Sequence, residues 1–405
     1  MKRGGTELDA IARRVRQCRE RVGLSQEALG EIIGLSRSSI VELEGGRRKV
    51  DVTVLRALAR ALGTSPLGLF GEEDDEDVDE DGETVELGVL REAAASSAED
   101  RHVLQAFLGT LRAYRQLLKA SEHKRPSLPD MARGFSTRTP KYQVAAEAIR
   151  VREMLGLGDS PCSVGLRERI EALGVPVFLL ALDPTEVSGL YVNYPGIGPV
   201  LLVNSSQVRW RQGFTIAHEF GHVWLHRRER AVASRIFGGV GGQREIEVQA
   251  NAFAAEFLMP EKTIGWALSQ LDAVEQLDVE HVVHLQRFLG VSYKAMLVRL
   301  KALRIVGRER YEELAAESPV SWASRLGYAV DPTEVGESVD VPLAQRLPAE
   351  LVSLVLEAWN AGTLGEGRAA EILNTDIITL NEFVAQQNDA ASWQREEEVP
   401  DGVGG

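Results

Sequence analysis

The stretch FTIAHEFGHVWLH, residues 214–226, sets two histidines four positions apart, with a glutamate directly after the first. On a helix, residues i and i+4 share one face about 6 Å apart. His218 and His222 can therefore turn both imidazoles onto one tetrahedral ion. Glu219 is one step round the helix, displaced from the ion but placed to take a proton from a water held there. Zinc brings such a water to a pKa of about 7, and a neighbouring carboxylate completes the nucleophile. With 7 histidines in 405 residues, His-Glu-x-x-His is expected by chance on the order of 0.01 times, and the pattern should sit on a helix. The plainer alternative is an amphipathic helix whose histidines are capped or solvated. A purely structural metal site is a third reading, but three ligands with an open fourth position fit catalysis better.

A third ligand is needed, and spacing leaves it open among Glu245, Glu247, Glu256 and His226. Glu247 lies 25 residues after His222 in a segment that reads as helix, REIEVQANAFAAEFLMP. Asn251 follows four residues later, on the same face, where it can hydrogen-bond a ligand from behind. His226 continues the four-residue ladder, but its drift round the helix suits a structural or rim position. Glu256 reads as a solvated or capping residue.

The elements that must hold these side chains follow from the pattern of the chain. YQVAAEAIRVREMLGL and GLRERIEALG read as helices, VPVFLLAL as a buried strand. VSGLYVNY and GPVLLVN, separated by Pro-Gly, read as a hairpin. The histidine segment and the Glu247 segment are then long helices beside a small antiparallel sheet. The expected class is α+β, mostly helical. Tyr191, Tyr194 and Arg211 are the candidates nearby for stabilising an oxyanion, each with a structural role as the more ordinary reading.

Composition bounds the rest. A chain of 405 residues suggests about two to four domains. No apolar run approaches the ~18 residues that span a bilayer, and the charged N-terminus lacks the apolar core of a signal peptide. Cys18 and Cys162 lie far apart and suit a reducing cytoplasm. The net charge of −14 argues against nucleic acid only on average. Residues 1–70 carry 13 Lys/Arg against 8 Asp/Glu, whereas GEEDDEDVDEDGET, residues 71–84, carries 10 acidic side chains and no basic one. That run repels itself, reads as a solvated linker, and ends a first domain near residue 70.

Within that domain, LSQEALGEIIGLSRSSIVELEGGRR reads as a helix-turn-helix. Ser25 and Ser36 cap two short helices. Gly30 is small where the helices cross, and Gly34 supplies the permissive backbone of the turn. Leu29, Ile33, Ile40 and Leu43 face inward, with Ile11, Val15, Leu55, Leu58 and Leu62 on flanking helices. Residues 8–70 resemble the XRE-type, phage-repressor-like family. The resemblance implies a five-helix domain with residues 36–44 as the recognition helix. By position, Arg37, Ser38 and Glu42 would meet base edges, and Gln26, Ser39, Arg47 and Arg48 would meet phosphates of a double-stranded operator. Arginine is bidentate to guanine, and a basic loop suits the backbone. One such domain offers little contact area, so a homodimer on a two-fold site is expected. A helical bundle that binds protein and no longer DNA is the alternative; Glu42, which can only accept on the reading face, makes it thinkable.

FTIAHEFGHVWLH followed by EVQANAFAAEFLMP resembles the ImmA/IrrE family of bacterial metallopeptidase domains, over roughly residues 140–305. The resemblance implies a zincin-like domain with a C-terminal helical lobe at VSYKAMLVRLKAL, His218, His222 and Glu247 as zinc ligands, and Glu219 as general base. It also implies a regulatory role. Such domains cleave XRE-type repressors, or inactivate them by contact, and so release prophage, mobile-element or stress genes. The expectation is a cytoplasmic DNA-binding regulator with a zinc metallopeptidase domain, an XRE-type repressor as its substrate or partner, and no membrane association. The rival is a transcriptional regulator or antitoxin whose peptidase-like domain senses a ligand or partner and cleaves nothing. The expected organisation is 1–70 DNA-binding, 71–84 acidic linker, 85–140 helical connector, 141–310 metallopeptidase, 320–387 C-terminal helical unit and 388–405 disordered tail. In the connector, Leu104, Phe107, Leu108, Leu111, Tyr114 and Leu118 form one apolar stripe, read as an intramolecular packing face ahead of a dimerising one.

Overall fold

The computed structural model describes residues 4–22, 24–62, 69, 85, 86, 89, 97–121, 125, 126, 128, 135, 136, 138–162, 164–183, 187–226, 231–235, 243–271, 277–337, 339 and 341–386. The acidic linker and the tail after 387 lie outside these residues. So does most of the segment on which the fifth N-terminal helix would fall; of it only Leu69 is described, helical and fully buried.

The N-terminal helices are α1 (Gly4–Val22), α2 (Gln26–Ile33), α3 (Arg37–Glu44) and α4 (Val52–Leu62). Ile11, Val15, Leu29, Ile40, Leu43, Leu55, Leu58 and Leu62 close one small core, as the helical spacing requires. Ser25 Oγ accepts from Ala28 N at 3.0 Å and Ser36 Oγ from Ser39 N at 3.2 Å, so both caps form. A Cβ on Gly30 would meet Leu35 O at 2.5 Å, and Gly34 has φ +71°. The first is a close approach of backbone to backbone, the second a left-handed turn, and together they set the angle between α2 and α3. Arg19 ties α1 to the far end of α3 through Glu44 and donates to Leu24 O at 2.8 Å.

The remainder is built on one four-stranded sheet: β1 (Val177–Leu180), β2 (Val187–Tyr194), β3 (Gly198–Asn204) and β4 (Ala231–Arg235), in the order β1-β3-β2-β4. β2 pairs antiparallel with β3 and with β4, but β1 pairs parallel with β3. The sheet is thus mixed and not wholly antiparallel. Both edges of β2 are taken, and β1 adds at the outer edge of β3, parallel to it. Asn204, fully buried at the end of β3, pins the crossover. Its Nδ2 donates to Val187 O at 2.8 Å and to Asp183 O at 3.1 Å, and its Oδ1 accepts from Leu182 N at 3.1 Å.

Strand alternation sends two sets of side chains to two cores. Val177, Leu179, Tyr191, Leu201 and Val203 face α6 (Lys141–Met154), α7 (Leu166–Glu171), α8 (Arg209–Leu225) and α9 (Gln243–Leu258). The same core continues into α10 (Glu261–Gln270), α11 (Val279–Leu289), α12 (Tyr293–Ala302), α13 (Arg308–Ala315) and α14 (Pro319–Arg325). Phe178, Leu190, Val192, Tyr194, Val200 and Leu202 face the other way, onto α5 (Ala98–Ala120), α15 (Leu343–Arg346), α16 (Ala349–Asn360) and α17 (Glu366–Ile372). In α5, Leu104, Phe107, Leu108, Leu111 and Tyr114 are buried there, with Leu118 partly buried against them, so the stripe packs within the chain. Both faces of the sheet are covered by helices. Among the described residues no helix is long and apolar enough to cross a membrane.

Candidate metal centre and DNA-reading face

α8 carries the two histidines, and its last eleven residues are all buried. Gly221 lets α9 come close: a Cβ there would lie 3.2 Å from Phe253 Cδ1 and 3.4 Å from Ala250 Cα. Phe220 packs edge-on against Phe253 and Phe257, which locks the crossing. Trp224 Nε1 donates to Glu147 Oε1 at 2.6 Å and ties α8 to α6. This packing brings Glu247 to the histidines.

His218 Nε2 and His222 Nε2 are 3.1 Å apart. Each faces one carboxylate oxygen of Glu247, at 3.2 and 3.3 Å. A tetrahedral ion with ligands at ~2.0–2.1 Å has ligand–ligand edges of ~3.3 Å. The two histidine nitrogens are close to that separation, each has one Glu247 oxygen near it, and one ligand atom from each of the three side chains lies within 4.8 Å of the others. Among the described residues they form the one His/Cys/Asp/Glu cluster with metal-binding geometry. His218 Nδ1 lies 3.2 Å from Asn251 Oδ1, which can only accept, so the His218 proton sits on Nδ1 and the Nε2 lone pair points inward. Lone pairs of imidazole and carboxylate thus converge on one point. That arrangement calls for a cation or a proton there, and a His₂Glu set fits zinc.

The proton affinities express the same convergence. Burial opposes protonation of His218, but the hydrogen bond to Glu247, the charges of Glu219 and Glu247, and Asn251 outweigh it, so its pKa is raised. Burial dominates at His222 and, with the neighbouring His218 and His226, outweighs Glu247, holding its pKa down to about 4. Burial works to raise Glu247, yet its hydrogen bonds with the two histidines win and lower it to about 2. Of the three groups, His218 is the one whose affinity for a proton is raised.

Glu219 is fully buried, one residue round from His218. β2 passes over it at Gly189, where a Cβ would lie 2.7 Å from Glu219 Oε1 and 2.7 Å from Thr215 Cγ2. Only a residue without a side chain leaves the carboxylate its place.

The other candidates separate cleanly. Glu245 is exposed. Glu256 is buried, not solvated: it pairs with Arg299 and accepts from Glu261 N at 3.4 Å. Tyr194 projects to the opposite face of the sheet, where its hydroxyl donates to Glu86 at 2.7 Å, so it has no access to the α8 side. Tyr191 is buried on the α8 side, and Arg211 is exposed at the start of α8. His226 is a buried neighbour of His222 Nδ1 at 3.0 Å and not a rim residue. Sequence reasoning missed Gln249, which meets His226 Nε2 at 2.9 Å; its signal was only a buried amide two residues from each of Glu247 and Asn251.

On α3, Arg37, Ser38 and Glu42 are exposed side by side, and Arg47 is exposed in the following loop. Arg48 Nη1 donates to Ser39 Oγ at 2.6 Å. Ser38 Oγ meets Ser36 Oγ at 2.9 Å. Gln26 Nε2 is turned onto Glu44 at 2.8 Å, so it would have to leave that carboxylate to reach a phosphate.

Comparison with known proteins supplies the family. Residues 10–68 match the helix-turn-helix domain family, and residues 170–301 match the peptidase family described as the IrrE N-terminal-like domain. An uncharacterized HTH-type transcriptional regulator of Methanothermobacter thermautotrophicus is 38% identical over 68 residues, which is 17% of this chain and 91% of that relative. The chain belongs to the HTH-type transcriptional regulators. This regulator couples an XRE-like DNA-binding domain to an IrrE-like, metallopeptidase-type domain. Among solved structures it matches Bacillus thuringiensis PlcR in complex with the peptide PapR7 and DNA, at 10% identity and TM-score 0.17 over 95% of this chain and 98% of that one. It also matches apo ComR of S. thermophilus, at 14% identity and TM-score 0.15 over 78% and 94%. Scores this low carry no argument about the arrangement of the chain.

Proposed function

We propose that this regulator is a zinc metalloendopeptidase that cleaves or inactivates an XRE-type repressor, and so controls phage, mobile-element or stress genes. The observation that carries the reading is the convergence of His218, His222 and Glu247 at tetrahedral spacing, with Glu219 next to it on the same helix. His218, His222 and Glu247 hold the ion. Zinc, when bound, supplies Lewis-acid activation of water and polarises the peptide carbonyl. Glu219 accepts the proton of the attacking water and returns it to the departing amine nitrogen. Asn251 orients His218 from behind through its Oδ1. Gly189 keeps the space that Glu219 occupies. A domain that only sensed a ligand would have no need of a carboxylate base beside the metal.

The N-terminal domain supplies address, not chemistry. A tether to an operator raises the local concentration of a repressor bound beside it. Arg37, Ser38 and Glu42 would read base edges, with Gln26, Ser39, Arg47 and Arg48 on phosphates, in a homodimer on a two-fold site. Arg37→Ala should cost ~1–3 kcal/mol at one operator base pair. A footprint and mutant-operator series checks this; an unchanged preference at every position removes Arg37 from the reading face.

The reading as a whole is tested by incubating the zinc-loaded chain with an XRE-type repressor encoded beside it and weighing the products by mass spectrometry. Two fragments summing to the repressor plus one water support it. An intact repressor, with operator binding retained, leaves only the sensing role.

A further inference from the structure

Behind His222 runs a chain of buried hydrogen bonds that the hydrolytic chemistry does not use. His222 Nδ1 is 3.0 Å from His226 Nδ1. His226 Nε2 is 2.9 Å from Gln249 Oε1. Gln249 Nε2 is 2.7 Å from the carbonyl oxygen of Ser136 and 3.1 Å from that of Thr139. His222 is fully buried, Gln249 is 2% exposed and His226 is 7% exposed.

The far end fixes the direction of every bond. Two backbone carbonyls only accept, so the nitrogen of the Gln249 amide must face them and its oxygen must face His226. That oxygen only accepts, so the His226 proton sits on Nε2. Neutral His226 then has its lone pair on Nδ1 and accepts from His222. His222 must therefore carry its proton on Nδ1, which leaves the Nε2 lone pair aimed at His218 and Glu247. With both rings neutral, any other arrangement opposes two acceptors at a buried position: at Gln249 and His226, at Gln249 and the two carbonyls, or between the two Nδ1 atoms. A buried polar atom facing no partner is costly, and water is not at hand to relieve it.

We propose that His226 and Gln249 are positioning residues that lock His222 in its metal-binding tautomer, anchored on the backbone turn at residues 136–139. This rests on the reading of His218, His222 and Glu247 as a metal centre. The turn is itself closed: Thr139 N donates to Ser136 O at 2.9 Å, and Ser136 N donates to Thr139 Oγ1 at 2.9 Å. It lies just ahead of α6, in the segment that leads in from the N-terminal half. Through Gln249 and His226 that turn is linked by hydrogen bonds to His222. Partners behind a ligand fix its tautomer and ring orientation, and their loss typically weakens metal binding ~10–100-fold.

The test uses the full-length protein and zinc alone. Zinc affinity is measured by chelator competition for the wild type and for His226→Leu, His226→Asn and Gln249→Met. Histidine tautomers are read by ¹⁵N NMR on metal-free, histidine-labelled protein. His226→Leu removes the acceptor and should weaken zinc ~10–100-fold. His226→Asn places an oxygen near the former Nδ1 and should recover most of that loss, which a packing role alone would not do. Gln249→Met leaves the His226 ring in place but frees its tautomer, so zinc should weaken and the His226 signal should show both neutral forms. In the wild type, His222 should read as the Nδ1–H form and His226 as the Nε2–H form. Unchanged zinc affinity in both His226→Leu and Gln249→Met overturns the proposal, as does a wild-type His222 protonated on Nε2. If the wild type takes up no zinc, the metal-centre reading fails, and the tautomers of the metal-free protein still decide the relay.

Discussion

If the chain is the proposed zinc peptidase, Glu219→Gln should keep its zinc and lose its cleavage, by ~10²–10⁴-fold in kcat. The substitution preserves volume, so the fully buried space under Gly189 stays filled. It removes one property, the ability to accept a proton. Glu219 is not among the three side chains that converge on the ion, so stoichiometric zinc should survive. The measurement pairs zinc content with turnover on a repressor substrate or on a library of fluorogenic peptides. Cleavage at the wild-type rate would remove Glu219 as the base. Loss of zinc together with activity would mean that the carboxylate holds the site together and does not serve only as base.

Zinc affinity should fall about tenfold for each pH unit below the pKa of His218, hence ~100-fold over two units. The sign follows from the competition between proton and ion. The His218 pKa is raised above its ordinary value, so at any pH below it the metal-free site carries a proton that zinc must displace. Raising the pH removes that proton and strengthens binding until the pH exceeds the His218 pKa; beyond it the affinity levels off. His222, held down to about 4, and Glu247, lowered to about 2, stay deprotonated across that range and add no slope. Chelator-competition titrations at about pH 6, 7 and 8 would check it. A flat profile would contradict the picture of one proton in the place of the cation. A slope of two would mean that His222 also titrates there.

The histidine helix was legible because its logic is local. Four residues make a helical turn, and His218, Glu219 and His222 need nothing else to declare themselves. Glu247 and Asn251 shared a face for the same reason. Which glutamate completes the set was not legible from spacing, because that depends on how α9 crosses α8 at Gly221 and Phe253, a contact between distant segments. The family resemblance pointed to Glu247, and the packing brings Glu247, not Glu245 or Glu256, to the histidines. The helix-turn-helix was equally local, with its caps at Ser25 and Ser36 and its crossing at Gly30.

The sheet shows the opposite case. VFLL and GPVLLVN are apolar on both faces, so they announced burial but not what covers each side. The pairing of β1 with β3 is a contact between segments distant in the chain, and no single strand encodes that. Tyr194 was one of three candidates for stabilising an oxyanion, with a structural role the more ordinary reading, and strand alternation sends it to the far core, beside Glu86. The anchor of the His226–Gln249 chain is a pair of backbone carbonyls, which have no side-chain signature at all.

The most direct test of the metal centre is the zinc content of the freshly purified chain, measured by elemental analysis beside a His218→Ala control. About one zinc per chain, absent from the control, is the result this account predicts. A wild-type chain that holds no zinc, even after zinc is added, would contradict it and leave a DNA-binding regulator whose buried histidine helix serves some role other than hydrolysis.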